Sequence, residues 1–260
     1  MLVTPFAVTA GPMAGHSRPA ALENGLRTEP KRPSPQCPIV VIASTQRSGS
    51  TEFESDLAKP MQSIALGEWF NPWGGRVAWP KECNYKSGLR HWPDHAARIT
   101  DPVQSLLAVR EACCRQGVGC SVMLRMFSPA MQGAAKNSSI LRTTSALLAD
   151  PRACVIVLER TNVTAQFCSL RHAAASGDWT GHAERANNTQ RWHPPCELTE
   201  KEQPALRRHE HGHRSWYELV RRVLAEEASA TPRLELTFRD ITTHRNRSTA
   251  AVIRAFTSAI

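Results

Sequence analysis

Two short apolar runs constrain this chain more than anything else in it. Ile39-Val40-Val41-Ile42-Ala43 and Ala153-Cys154-Val155-Ile156-Val157-Leu158 are continuous and rich in β-branched residues. A strand with one wet face alternates apolar and polar positions, whereas a strand covered on both faces does not. Runs of this kind therefore belong inside a parallel sheet. Each is followed by a polar turn and then a helical segment, to about Lys59 in the first case and from about Val163 to Ala175 in the second. Strands alternating with helices make βαβ units with right-handed crossovers, so the expected architecture is three-layer α/β with a mostly parallel central sheet flanked by helices.

The remaining elements fit that frame. Asp101-Pro102, with Gln104 behind it, is a helix start with the proline at the first helical position. Val103, Leu106 and Leu107 supply its buried stripe and Gly117 ends it. Cys120 to Phe127 and Leu234 to Phe238 read as strands, and Ile140 to Ala149 and Ser248 to Phe256 as helices. Trp216, Leu219, Val220, Val223 and Leu224 mark one face of an amphipathic helix. Two stretches lack a period: 65–98, with four Trp and scattered Pro and Gly, and the polar, His-rich 180–213. Long aperiodic stretches in a compact domain are usually functional loops. Residues 1–37 mix Pro, Gly, Ala and charge and read as a disordered leader, leaving 38–260 as a single domain.

Composition narrows the partners without choosing among them. The 260 residues carry 32 Lys plus Arg against 23 Asp plus Glu, a formal charge of +9, which favours nucleic acid, acidic membranes or phosphorylated small molecules. Lysines are few (Lys31, Lys59, Lys81, Lys86, Lys136 and Lys201), and the predominant Arg offers a planar fork suited to phosphate or sulfate. No stretch approaches the roughly 20 apolar residues of a membrane span, and no signal peptide is evident. Asn-x-Ser/Thr sequences at Asn137, Asn162, Asn187 and Asn246 tilt the expected compartment toward the Golgi lumen over the cytoplasm. The eight cysteines show no zinc-ligand spacing, and Cys154 and Cys168 read as small buried apolar residues. His209, His211 and His213 read as part of a solvated loop, so no metal site is expected.

The turn after the first strand carries the chemistry. Strand, Gly/Ser-rich turn and helix together aim backbone N–H groups and a helix N-terminus at one anion. Arg47, Ser48, Gly49, Ser50 and Thr51 provide a cation, a glycine for close approach and three hydroxyls; an ordinary helix-capping turn is the plainer alternative. The nucleotide-triphosphatase pattern Gly-x-x-x-x-Gly-Lys-Ser/Thr is absent, which disfavours Mg²⁺-dependent chemistry.

Gln46-Arg47-Ser48-Gly49-Ser50-Thr51 behind an apolar strand resembles the 5′-phosphosulfate loop of sulfotransferases, in the branch of the trehalose and nodulation sulfotransferases. The resemblance implies a P-loop-type fold and 3′-phosphoadenosine-5′-phosphosulfate (PAPS) as co-substrate, with no metal. It also implies that Arg47 neutralises the bridging and sulfuryl oxygens while Ser48 to Thr51 bind the 5′-phosphate. Val155-Ile156-Val157-Leu158-Glu159-Arg160 followed by Ser169-Leu170-Arg171 is similar to the family's second motif, which implies that Arg160 and Ser169 reach the 3′-phosphate. Thr161 stands where related sequences often carry a second Arg. Gly67-Glu68-Trp69-Phe70 lies where this branch has a Glu-aromatic segment, and the resemblance makes Glu68 the general base. Gly119 to Phe127 resembles the next core strand, with Met123 in place of a frequent Lys, and Leu236 to Ile241 resembles the late strand and turn. Family members usually continue past the last helix with basic residues near the nucleotide, a stretch that this chain, ending at Ile260, is expected to lack.

The function expected from these motifs is sulfuryl transfer from PAPS to an acceptor hydroxyl, on a carbohydrate in the branch resembled, with no nucleic acid partner and no membrane span. Two alternatives stay open on sequence: a nucleotide kinase or NTP-hydrolysing protein of the same fold, and an inactive polyanion-binding protein using its Arg-rich surface.

Overall fold

A computed structural model describes residues 37–70, 93–127, 138–177 and 196–257. In it, β1 (Ile39–Ser44) is buried along its whole length and pairs in parallel with β3 (Ser121–Phe127) on one side and β4 (Ala153–Glu159) on the other. The edge strands β2 (Ser63–Ala65) and β5 (Arg233–Thr237) pair with β3 and β4, also in parallel. The order is β2-β3-β1-β4-β5, an all-parallel sheet and an α/β fold, as the two apolar runs require.

Helices follow the strands: α1 (Ser50–Ala58), α2 (His95–Thr100), α3 (Pro102–Arg115), α4 (Ser138–Leu148), α5 (Val163–Ser176), α6 (Gln203–Glu226), α7 (Phe238–Thr243) and α8 (Arg245–Thr257). Alternate residues of β1 enter opposite cores. Ile39, Val41 and Ala43 pack with Leu106, Val109, Trp216 and Val220 of α3 and α6. Val40 and Ile42 pack with Phe53, Leu57, Val252 and Phe256 of α1 and α8. Removing such a side chain from water stabilises by about 1.5–3 kcal/mol, which is why the run tolerates no polar interruption.

Several expectations need correction. At the start of the stretch read as aperiodic, Ser63–Ala65 forms β2, reaching two residues before it, and within it Asp94 caps α2 by accepting a hydrogen bond from the Ala97 N–H. A three-residue strand is too short for a readable period; its place is set by main-chain bonds to β3. The His-rich 203–213 is not a loop but the first half of α6, continuous with the amphipathic face at Trp216. Nor are Cys154 and Cys168 free thiols. Disulfides join Cys37 to Cys154, Cys114 to Cys120 and Cys168 to Cys196, with Cα separations of 5.6, 4.4 and 5.8 Å, and Cys113 is disulfide-bonded as well. Cys37, read as the end of a leader, is buried and so begins the core; 1–36 lie outside the described residues, as do 71–92 and 180–195 of the two aperiodic stretches. Among the described residues no helix is long and apolar enough to cross a membrane.

The strand order places a crevice. From β1 the chain runs toward β2 and β3, and from β4 it runs toward β5, so the connections leave these adjacent strands in opposite directions. In open α/β sheets ligands bind outside the carboxyl ends of the strands at such a switch point. The two motifs singled out in the sequence, one after β1 and one after β4, meet there.

Candidate functional site

Thr45 to Gly49 turn the chain between β1 and α1. Arg47 has φ 61° and Gly49 φ 81°, with Ser48 on the negative side between them. Alternation of this kind points successive N–H groups to one side and makes an anion-binding concavity, here at the N-terminus of a nine-residue helix. A non-glycine residue held in the left-handed region costs on the order of 1–3 kcal/mol, and such residues cluster at functional sites. At 49 only glycine fits: a Cβ would lie 2.9 Å from Ile241 Cδ1 and 3.1 Å from the Phe238 ring.

Cations and a hydroxyl converge on this loop. Arg47 Nε donates to Ser169 Oγ at 3.0 Å. Arg160, at the carboxyl end of β4, donates from Nη1 to the Arg47 carbonyl at 2.9 Å, and its guanidinium lies 4.5 Å from the centre of the Phe238 ring. Burial, and then the neighbouring positive charge of Arg47, pull Arg160 below the usual guanidinium range. Two like charges side by side are an unfavourable arrangement that an anion between them would relieve.

The support of this rim was invisible in the sequence. Gln166, fully buried on α5, donates from Nε2 to Thr45 Oγ1 and to the Gln46 carbonyl, both at 2.6 Å. Tyr217 of α6 donates its hydroxyl to the Leu158 carbonyl at 2.5 Å, 3.5 Å from Thr45 Oγ1. Asn162 caps α5 by accepting from the Ala165 N–H at 2.9 Å, which starts the helix that carries Gln166 and Ser169.

Beside the loop, on the β3 side, lies a buried charge cluster. Arg125 donates from Nε to Glu54 Oε2 at 2.6 Å and from Nη1 to Thr51 Oγ1 at 2.6 Å, and the same Nη1 is 3.7 Å from Glu68 Oε1. Glu54 Oε1 accepts the Gly67 N–H at 2.9 Å. Burial pushes the Glu54 carboxyl above its ordinary value, against the pull of Arg125 and of the Gly67 N–H. Glu68 is thus one guanidinium away from the loop between β1 and α1.

The residues picked from the sequence therefore fall into two adjoining groups, Arg47, Arg160 and Ser169 in one and Thr51 with Glu68 in the other. Thr51 is exposed and Arg47 and Gly49 half-buried, whereas Ser48 and Ser50 are buried and the Ser48 hydroxyl has no hydrogen-bond partner. Arg171 is engaged by Glu202 on the surface. Glu54, Arg125, Gln166 and Tyr217 were missed. The available signal was Arg125, a charged residue in an otherwise apolar strand, since a buried charge requires a partner.

Two histidines of α6 back the crevice. His209 and His213 face inward with buried Nε2 atoms that lack partners, while His211 is exposed. Their rings pack on Phe167 and Tyr217 at centroid distances of 5.5 and 4.8 Å, and His213 hydrogen-bonds the Arg160 main chain. Burial lowers both, His209 to about 4. Among the described residues, no group of three or more His, Cys, Asp or Glu could hold a metal ion.

No protein-family model matches the chain, and no curated protein matches it. Among solved structures it is similar to the sulfotransferase domain from the curacin biosynthetic pathway, with 13% identity over 84% of this chain and 73% of that one, at a TM-score of 0.46.

Proposed function

We propose that this protein is a sulfotransferase that moves a sulfuryl group from PAPS to an acceptor hydroxyl, on a carbohydrate in keeping with the branch its motifs resemble. The observation that carries the reading is the junction of Arg47, Arg160 and Ser169. They come from motifs more than a hundred residues apart, yet share hydrogen bonds at the switch-point crevice. The cradle suits a nucleotide with two anionic groups: a left-handed loop at a helix N-terminus, two adjacent guanidiniums and an aromatic ring beneath one of them.

In the reaction the acceptor oxygen forms a bond to sulfur as the bond from sulfur to the phosphate oxygen breaks, releasing adenosine 3′,5′-bisphosphate. Negative charge builds on the departing phosphate. Arg47 and the loop N–H groups stabilise it there without a metal ion, by fixed dipoles and charge aimed at the point of development. Arg160 and Ser169 bind the 3′-phosphate, and Glu68 takes the acceptor's proton. The disulfides and the Asn-x-Ser/Thr sequences favour an oxidising compartment such as the secretory lumen.

Thermal unfolding tests the reading directly. Adenosine 3′,5′-bisphosphate at a hundred times its Kd should stabilise the fold by about 2.7 kcal/mol, with 5′-AMP much weaker at equal concentration. Stabilisation by Mg²⁺-ATP in place of the bisphosphate would make the protein a kinase or NTPase.

A further inference from the structure

Arg125 stands where the loop and the Glu68 segment meet. Its side chain reaches Glu54, Thr51 and Glu68 from one planar group, and all three charged side chains are nearly buried, with exposures of 6% for Arg125, 5% for Glu54 and 11% for Glu68. The clamp extends to the main chain. Gly67, immediately before Glu68, turns at φ 65°, gives its N–H to Glu54 Oε1 and receives the Arg125 N–H on its carbonyl at 2.8 Å.

We propose that Arg125 is a positioning residue that fixes the Thr51 hydroxyl and the Glu68 carboxylate relative to each other, with Glu54 holding its guanidinium in place. The proposal rests on the sulfotransferase reading above. Because Thr51 Oγ1 accepts from Arg125, its own hydrogen is directed elsewhere, and Thr51 is exposed in the first turn of α1, where an anion is favoured. The nucleotide side and the acceptor side are thereby tied to one rigid fork. Misplacement of reacting groups by about 1 Å can cost about 10²-fold in rate, so a shared anchor between the two sides matters.

The test is a pair of double-mutant cycles. Arg125→Lys keeps a charge but not the fork and should lower kcat about ten- to a hundred-fold. Arg125→Ala would leave the buried Glu54 carboxylate uncompensated, so the folding control is Glu54→Gln with Arg125→Met, which removes that pair together and should lower kcat similarly with a Tm closer to wild type than that of Arg125→Ala. In a Glu68→Gln background the Arg125→Lys change should cost little further kcat. In a Thr51→Val background it should cost little further affinity for adenosine 3′,5′-bisphosphate. Losses that simply add in both backgrounds, or an Arg125→Lys protein with wild-type kcat and affinity, would overturn this proposal alone. No bisphosphate binding by the wild-type chain would overturn the sulfotransferase reading and this proposal with it.

Discussion

The crevice between β1 and β4 and the cluster beside β3 hold similar residues and treat charge in opposite ways. In the crevice, Arg47 and Arg160 lie half-buried with their positive charges adjacent, and burial and then the charge of Arg47 lower Arg160. In the cluster, Arg125 is buried between two carboxylates and satisfied from within the fold. In the reading proposed above, the arginine pair at the strand end receives an anion from outside the fold, while the single arginine closed by internal carboxylates is a strut. The difference lies in the surroundings and not in residue type, so counting arginines would not have separated them.

The largest effect should come from the open side. Arg47→Ala is expected to abolish transfer, because in the proposed reaction it removes the positive charge that stabilises the departing phosphate, and Arg47→Lys should keep part of it as a point charge without the fork. Turnover close to wild type in Arg47→Ala would remove the distinction between the two regions.

Glu68→Gln breaks the comparison from the closed side. It keeps shape and most packing while deleting the basic oxygen, and should lower kcat by about 10²–10⁴ with adenosine 3′,5′-bisphosphate affinity little changed. The opposite pattern, intact kcat with weaker nucleotide binding or a lower Tm, would place Glu68 with Glu54 as part of the strut.

Arg160→Ala sharpens the open side at a smaller scale. A charge-assisted hydrogen bond is worth about 1.5–3 kcal/mol, so affinity for adenosine 3′,5′-bisphosphate should fall roughly ten- to a hundred-fold while 5′-AMP loses little. Ser169→Ala should repeat the pattern weakly, since its hydroxyl already accepts from Arg47. Equal losses for both nucleotides would mean that Arg160 does not read the 3′-phosphate.

What the chain disclosed depended on range. The runs at Ile39 and Ala153 named the sheet because a doubly buried strand must be apolar at every position, a purely local condition. Gly49 and the hydroxyls around it were legible for the same reason. Glu54 was not, since a carboxylate in a helix with Glu52 and Asp56 beside it looks like a solvated face. Contacts with the Gly67 N–H and with Arg125, 71 residues on, make it structural. Gln166 is similar: an amide on a helix is unremarkable until the fold carries the loop beneath it. The histidines of α6 misled because polar composition outweighed a helical face whose apolar members come later, at Trp216 and Val220. The pairing of Cys37 with Cys154 spans 117 residues and so has no local signal.

The smallest expected effect separates the two regions by the sign of their response to acid. Behind the crevice, burial holds His209 at about 4, and holds His213 below its ordinary value although Glu159 and the Arg160 main chain pull it upward. An unfolded histidine titrates near 6.5, so between roughly pH 6.5 and 4 the unfolded chain binds protons that the folded chain refuses. The stability these imidazoles permit is fully present above about pH 6.5 and falls as the pH drops below it, for His209 down to about 4. Glu54 in the closed cluster acts oppositely: its carboxyl is raised by burial, so the folded state takes up a proton more readily than the unfolded one, and acidification just above the ordinary carboxylate range favours the fold. Replacing His209 by Met, of similar bulk and without a titrating group, should leave Tm at pH 7.5 nearly unchanged and flatten its decline between pH 6.5 and 4.5. Glu54→Gln should instead steepen that decline, because it removes the opposing contribution. Urea unfolding of the three proteins across this range reads the slopes directly, and parallel curves for wild type and His209→Met would show that the imidazole behind the crevice is solvated and plays no part in the acid response.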